Sequence, residues 1–75
     1  MTTVAVLGAT GSIGSQTAEV VRAEPDRFKI VALAAWSSVD QLIGQAQEFQ
    51  PDAVAIGEKY LVDQLKAGVP SGTEV

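Results

Sequence analysis

The residues with the clearest chemical potential form one short stretch, Gly8–Gly14, which reads Gly-Ala-Thr-Gly-Ser-Ile-Gly. Glycine occupies every third position, and two hydroxyl side chains stand between the glycines. The stretch directly follows the apolar run Val4–Leu7. A glycine-rich turn between a buried strand and a helix lets a phosphate group reach the backbone and meet free amides. Its position favours a nucleotide site, and a turn that only packs the helix onto the sheet is the alternative.

Each glycine of this stretch has its own expected role. Gly8 permits the tight turn, Gly11 leaves room for a diphosphate beside the backbone, and Gly14 lets the helix pack closely on the strand. The amides at the start of the helix then point toward the anion, supported by the positive end of the helix dipole. A phosphate-loop NTPase is disfavoured because no Gly-Lys-Ser or Gly-Lys-Thr follows.

Three side chains between the glycines are candidate ligand contacts. Thr10 and Ser12 place hydroxyl groups beside the expected diphosphate, and Ser12 is equally a candidate helix cap. Ile13 is a candidate contact for a nucleotide ring or ribose, although the apolar core is its main expected place.

A second candidate cluster, Trp36, Ser37 and Ser38, follows the second apolar run. An NAD-binding unit usually has Asp or Glu at this point, about 20 residues beyond the glycines, to bind the adenosine ribose. Hydroxyl groups at a helix N-terminus instead favour the 2′-phosphate of NADP. Helix capping is the alternative role for the two serines. For Trp36 the alternatives are stacking on adenine or anchoring another subunit or domain.

Three short apolar runs predict the strands that position these residues: Thr3–Leu7, Lys29–Ala35 and Asp52–Ile56. Apolar residues at helical spacing lie between and after them. Strands that alternate with helices imply a parallel sheet with right-handed crossovers. The predicted fold is therefore α/β, a Rossmann-like parallel sheet with flanking helices in the incomplete order β-α-β-α-β-α. Thr73–Val75 is expected to open a fourth strand, which suggests a piece of a longer protein.

The predicted helices have expected apolar faces and ends. In the first helix, which stops near Glu24, the inward face is assigned to Ile13, Thr17, Val20 and Val21. The second is expected to begin with a capping box, in which Ser38 and Gln41 bond each other's backbone amides. The third spans Glu58–Ala67 and ends at Gly68.

Composition narrows the functional classes. The 75 residues include neither cysteine nor histidine, which excludes disulfides, thiolate chemistry and the commonest metal ligand. The net charge is −4 and the basic residues do not cluster, which argues against nucleic-acid or anionic membrane partners. The scattered acidic residues predict no metal site, and no catalytic residue is assigned. Without a signal peptide or a long apolar span, the expected location is cytoplasmic.

Three segments together resemble the N-terminal end of the 1-deoxy-D-xylulose 5-phosphate reductoisomerase family. They are Val6–Gly14, then Pro25–Phe28 leading into Val31–Ala35, and finally Gly72–Val75. Within the first segment, the run Thr10–Gly14 is also similar in outline to semialdehyde dehydrogenases and sugar epimerases. The order and spacing of all three segments make the match specific, and they span nearly the whole chain.

The resemblance implies an oxidoreductase of non-mevalonate isoprenoid biosynthesis. Such an enzyme uses NADPH to convert the sugar phosphate 1-deoxy-D-xylulose 5-phosphate to 2-C-methyl-D-erythritol 4-phosphate, requires Mg²⁺ or Mn²⁺, and is a homodimer. Residues 1–75 would be the N-terminal part of its NADP-binding domain, inactive alone, with metal and substrate ligands on a later domain.

By position, the family's NADPH contacts fall on two groups of residues in this chain: Thr10, Gly11, Ser12 and Ile13, and then Trp36, Ser37 and Ser38. The second group departs from the commonest family pattern, which has glycine in place of Trp36 and often a basic residue in place of Ser37.

The sequence leaves two other functions open. One is a different NADP-dependent reductase, such as a semialdehyde dehydrogenase. The other is a non-catalytic module that binds CoA or a nucleotide.

Overall fold

The sheet contains three parallel strands in the order β1-β2-β3. In the computed structural model, which describes residues 1–75, they are β1 (Thr2–Leu7), β2 (Phe28–Ala35) and β3 (Ala53–Ile56). The three predicted strands are confirmed, with bounds that differ by one residue. Continuous apolar runs rather than alternating ones form these strands, as is usual in parallel sheets.

Three helices alternate with the strands: α1 (Ser12–Ala23), α2 (Val39–Phe49) and α3 (Val62–Gly68). A 3₁₀ turn, Lys59–Leu61, leads into α3. The predicted α/β order is confirmed. Because each crossover moves one strand further in the same direction, the helices pack on one face of the sheet.

The core lies between that face and the helices. The register of β1 against β2 shifts between Val4 and Ala5, so that Ile30 and Leu33 both turn toward the helices although they are three residues apart. Eleven buried residues form one cluster. They are Val6, Ala9, Val21, Ile30, Leu33, Ala35, Val39, Leu42, Ala46, Val54 and Leu65.

The expected apolar face of α1 is wrong in two places. Ile13 and Val20 are 80% and 51% exposed, and the buried positions are Gly14, Ala18 and Val21. The cause is the close approach of the helix to the chain that follows β1. In the first two turns of α1, only residues with small side chains fit on the side that faces this part of the chain. The bulkier apolar side chains are therefore turned outward.

The side-chain cap bonds expected for α1 and α2 do not form. Ser12 is the first helical residue of α1, and the N-cap position belongs to Gly11. Ser38 does hold the N-cap position of α2 but makes no side-chain cap bond, so no capping box forms with Gln41. Its ψ of 69° departs from the extended backbone of a capping residue.

The chain returns to the sheet beside β3. Glu74 forms a parallel bridge with Ala53, and its carbonyl accepts the amide of Val54 at 2.8 Å. The predicted fourth strand is therefore present as one bridge. None of the helices is long and apolar enough to cross a membrane.

The opposite face of the sheet has no helix over it in this chain. Its side chains are mostly alanine, and Leu7 is 84% exposed. A shallow apolar cavity of about 200 Å³ lies there. Its lining residues are Ala5, Val6, Leu7, Ala32, Leu33, Ala34, Ala53, Val54 and Ala55.

Candidate functional site

The candidate residues meet at the carboxyl edge of the sheet, where all three parallel strands end. The loop Gly8–Gly11, hereafter the glycine loop, follows β1; Trp36–Ser38 follows β2; and Gly57 follows β3. Ligands of open α/β sheets bind at this edge. The topology thus brings together the two clusters singled out from the sequence.

The glycine loop is held tightly at both ends. Gly8 has a φ of +70°, a conformation that glycine adopts without strain. The amide of Gly11 donates to the carbonyl of Gly8 at 3.0 Å, and the amide of Ala9 donates to the carbonyl of Ala34 at 2.8 Å. The second bond joins the loop to the end of β2, so the two candidate clusters have a fixed relation.

Gly14 and Gly11 have different steric surroundings. An ideal Cβ at Gly14 would fall 2.7 Å from the backbone of Ala9, so the position is closed to any side chain. At Gly11, a Cβ would meet only the carbonyl of Gly8, at 3.4 Å, an ordinary contact. Packing within the chain therefore requires glycine at Gly14 but does not explain it at Gly11. The outer side of Gly11 is open to a ligand.

Several amides of this region have no acceptor in the protein. They belong to Thr10, Ser12, Ile13 and Gly14. Open amides are normal in the first turn of a helix, and there they can bind an anion. The first turn of α1 contains no acidic residue, so its partial positive charge is not neutralised locally. The geometry suits a phosphate or diphosphate.

The exposed side chain of Ile13 belongs to the surface of this site rather than to the core. This corrects the expectation that the core is its main place. With 80% of its surface exposed next to open amides, Ile13 is accessible to an apolar part of a ligand.

Gln45 supports the glycine loop from α2 and was not identified from the sequence. Its Nε2 donates to the carbonyl of Ala9 at 2.9 Å, while its buried Oε1 has no partner. Ala9 itself is 1% exposed, so this bond satisfies a carbonyl that lies away from water. No sequence signal marks Gln45, because the pair is 36 residues apart.

The second cluster is exposed and free to meet a ligand. The hydroxyl groups of Ser37 and Ser38 make no hydrogen bond within the chain. One acidic residue, Asp40, lies in the first turn of α2. Its Oδ1 accepts a bond of 3.1 Å from Nε2 of Gln64 on α3.

Trp36 is 70% exposed and packs over the backbone of Gly57. Two bonds hold their segments side by side: the amide of Gly57 donates to the carbonyl of Ala35, and the amide of Glu58 to that of Trp36, both at 3.0 Å. Gly57 was not identified from the sequence either, since a single glycine after a strand carries little information.

The amino edge of the sheet holds a different set of groups. A cavity of about 350 Å³ lies there, lined in part by Phe28 and Phe49. Beside it the Arg22 guanidinium forms a two-pronged ion pair with Glu48, which joins the ends of α1 and α2. The hydrogen bond from Arg22 lowers the pKa of Glu48 and raises the pKa of Arg22 itself. No three His, Cys, Asp or Glu side chains come together to hold a metal ion.

The model of one protein family, 1-deoxy-D-xylulose 5-phosphate reductoisomerase, matches residues 4–75. The chain belongs to this family. A relative of that name from a Cyanothece species is 46% identical over 69 residues, which are 92% of this chain and 18% of the relative. A reductoisomerase from Thermomicrobium roseum is 57% identical over 58 residues, which are 77% of this chain and 15% of the relative.

Solved structures of reductoisomerases confirm the fold. The enzyme from Zymomonas mobilis in complex with NADPH matches with a TM-score of 0.91 and 35% identity, over 97% of this chain and 20% of its own. A second reductoisomerase structure, in complex with NADPH, fosmidomycin and magnesium, matches with a TM-score of 0.85 and 35% identity, over 99% of this chain and 19% of its own. The chain spans a fifth or less of the length of the reductoisomerases named above.

Proposed function

We propose that this chain is the N-terminal NADPH-binding segment of an enzyme that converts 1-deoxy-D-xylulose 5-phosphate to 2-C-methyl-D-erythritol 4-phosphate. One observation carries the proposal: the open amides around Gly11 lie at a helix N-terminus, in a fold that matches a reductoisomerase in complex with NADPH. NADPH supplies the hydride for the reduction when it is bound. The residues of this chain bind and orient it.

The roles of the residues follow from their places along the carboxyl edge. The glycine loop and the first turn of α1 hold the diphosphate through amides and the hydroxyls of Thr10 and Ser12. Ser37 and Ser38 donate to the 2′-phosphate. No carboxylate directly follows β2, where NAD-binding units place one, and this supports NADPH over NADH.

The remaining parts of the reaction need groups beyond those described above. The acidic residues of this chain do not fit a divalent metal, because no three of them come together. On this proposal the Mg²⁺ or Mn²⁺ and the sugar phosphate bind outside these 75 residues. The family resemblance supports a homodimeric enzyme of isoprenoid biosynthesis, and the cysteine-free composition agrees with the reducing cytoplasm.

A fluorescence titration tests cofactor binding. Trp36 is the single tryptophan and belongs to the proposed site. The purified chain is titrated with NADPH, NADH and CoA in turn, with free tryptophan amide as the control for light absorbed by the nucleotides. We expect saturable quenching that is stronger with NADPH than with NADH or CoA.

The double variant Ser37→Ala with Ser38→Ala isolates the 2′-phosphate contact. It should weaken NADPH binding and leave NADH binding unchanged. The proposal is contradicted if the folded chain binds neither dinucleotide, or if CoA binds as well as NADPH does.

A further inference from the structure

The face of the Trp36 indole rests on Gly57. An ideal Cβ built on Gly57 would fall against Cε3 of the indole, and would lie 2.5 Å from Cζ3 and 2.6 Å from Cδ2. These are the two ring atoms bonded to Cε3. Nearly equal, short distances to both are expected for a point above the face of the ring, whereas a point beyond the rim would lie farther from both. The indole therefore covers the backbone where a side chain would stand.

The opposite face of the same ring is open. Trp36 is 70% exposed although one of its faces is covered, and it belongs to no buried cluster. An aromatic ring with one face supported and one face free is a platform on which another aromatic ring can stack.

The platform lies at the end of a row of groups on the carboxyl edge. The glycine loop ends β1, Ser37 and Ser38 follow β2, and the indole extends from β2 over the residue that follows β3. If the diphosphate binds at the glycine loop and the 2′-phosphate binds at Ser37 and Ser38, the adenine ring reaches the indole of Trp36. The order of the strands thus matches the order of groups in the adenosine half of NADPH.

From these observations we infer that Gly57 is a positioning residue for cofactor binding: its missing side chain lets Trp36 lie as a platform for the adenine ring. This inference rests on the proposed function. Any side chain at position 57 would displace the indole, so Gly57 acts through Trp36 and tunes affinity for the adenine half alone.

Calorimetric titration of the chain with adenosine 2′,5′-bisphosphate and with NADPH tests this inference. Gly57→Ala should weaken binding of both by about fivefold to tenfold, the lower range for base stacking on an aromatic side chain. Gly72→Ala is the matched control, because a Cβ there meets nothing within 4 Å. It should bind both ligands like the wild type.

The double variant separates positioning from a general structural effect. Trp36→Ala should weaken binding by a similar factor, and adding Gly57→Ala to it should cause no further loss. Because Trp36 is largely exposed, Trp36→Ala folds and gives a result even if Gly57→Ala does not.

The inference is overturned if the wild type binds both ligands and either single variant binds them equally well, or if the two losses add. Failure of the wild-type chain to bind NADPH would instead contradict the proposed function, and the inference with it.

Discussion

Adding one methyl group at Gly14 should destabilise the fold, whereas the same change at Gly44 should stabilise it. Both glycines lie in helices, Gly14 in α1 and Gly44 in α2. A Cβ at Gly14 would fall 2.7 Å from the Ala9 backbone, which cannot rotate away as a side chain can. A Cβ at Gly44 would meet nothing within 4 Å. The pair therefore separates steric packing from helix propensity.

The expected magnitudes follow from these contacts. Replacing glycine by alanine within a helix stabilises it by about 1 kcal/mol, and this applies to Gly44→Ala. At Gly14 the same gain is opposed by an overpacking cost of about 1–3 kcal/mol. Because the clash involves backbone, we expect the upper part of that range and a net loss of about 1–2 kcal/mol for Gly14→Ala.

Thermal unfolding followed by circular dichroism measures both variants against the wild type. A change of 1 kcal/mol shifts the midpoint by roughly 4–8 °C in a domain of this size. Gly44→Ala should therefore melt a few degrees above the wild type, and Gly14→Ala about 5–15 °C below it. Equal midpoints for the two variants would refute the close packing of α1 on the glycine loop.

Three further substitutions test other contacts of the chain. Gln45→Ala leaves the carbonyl of Ala9 without its donor. It should lower the free energy of unfolding by only about 1 kcal/mol in urea denaturation, because removal of the unpartnered Oε1 partly offsets the loss of the hydrogen bond. Ser12→Ala should change the free energy of unfolding by less than about 0.5 kcal/mol, since Ser12 makes no cap bond, yet weaken NADPH binding in a calorimetric titration. A decrease near 1 kcal/mol in the free energy of unfolding of Ser12→Ala would instead show that Ser12 caps α1. In Glu48→Gln the ion pair with Arg22 is lost. Since the pKa of Glu48 is lowered in the folded chain, the ion pair stabilises the fold at pH values above 4.5, the ordinary pKa of a glutamate side chain. This contribution is lost as the pH falls below that value and the carboxylate becomes protonated. The stability difference between wild type and Glu48→Gln, measured by denaturation across pH, should therefore shrink in acid. A difference that grows in acid would contradict the assignment.

The order of strands and helices could be predicted from local patterns. Each strand of a parallel sheet is buried on both faces in a complete domain, so its sequence is a continuous apolar run such as Ile30–Ala35. Pro51 and the glycine loop mark the bounds of neighbouring elements. Such signals depend on residues next to one another in the chain, and they suffice for the topology.

The wrongly predicted apolar face of α1 has a physical cause. Helical periodicity assumes that the largest apolar side chains face the core, but Ile13 and Val20 are exposed because Gly14 and Ala18 face the sheet. The distance between helix and sheet decides which face is buried. That distance depends on the path of the glycine loop, which periodicity does not describe.

The supporting residues of the site were missed because their contacts join distant parts of the chain. Gln45 on α2 donates to Ala9 in the glycine loop, and Gly57 after β3 supports Trp36 after β2. Neither residue type is distinctive at its position. Only the packed structure shows that these residues hold the glycine loop and orient the indole.

Amide chemical shifts in a labelled sample, recorded during titration with NADPH, test the central claim most directly. The claim is that NADPH binds at the carboxyl edge through the open amides of the glycine loop. It predicts the largest shifts at Thr10, Ser12 and Ile13 and at the indole N–H of Trp36. Binding of NADPH that leaves these signals in place, or that shifts the amides around Phe28 and Phe49 at the amino edge instead, would contradict it.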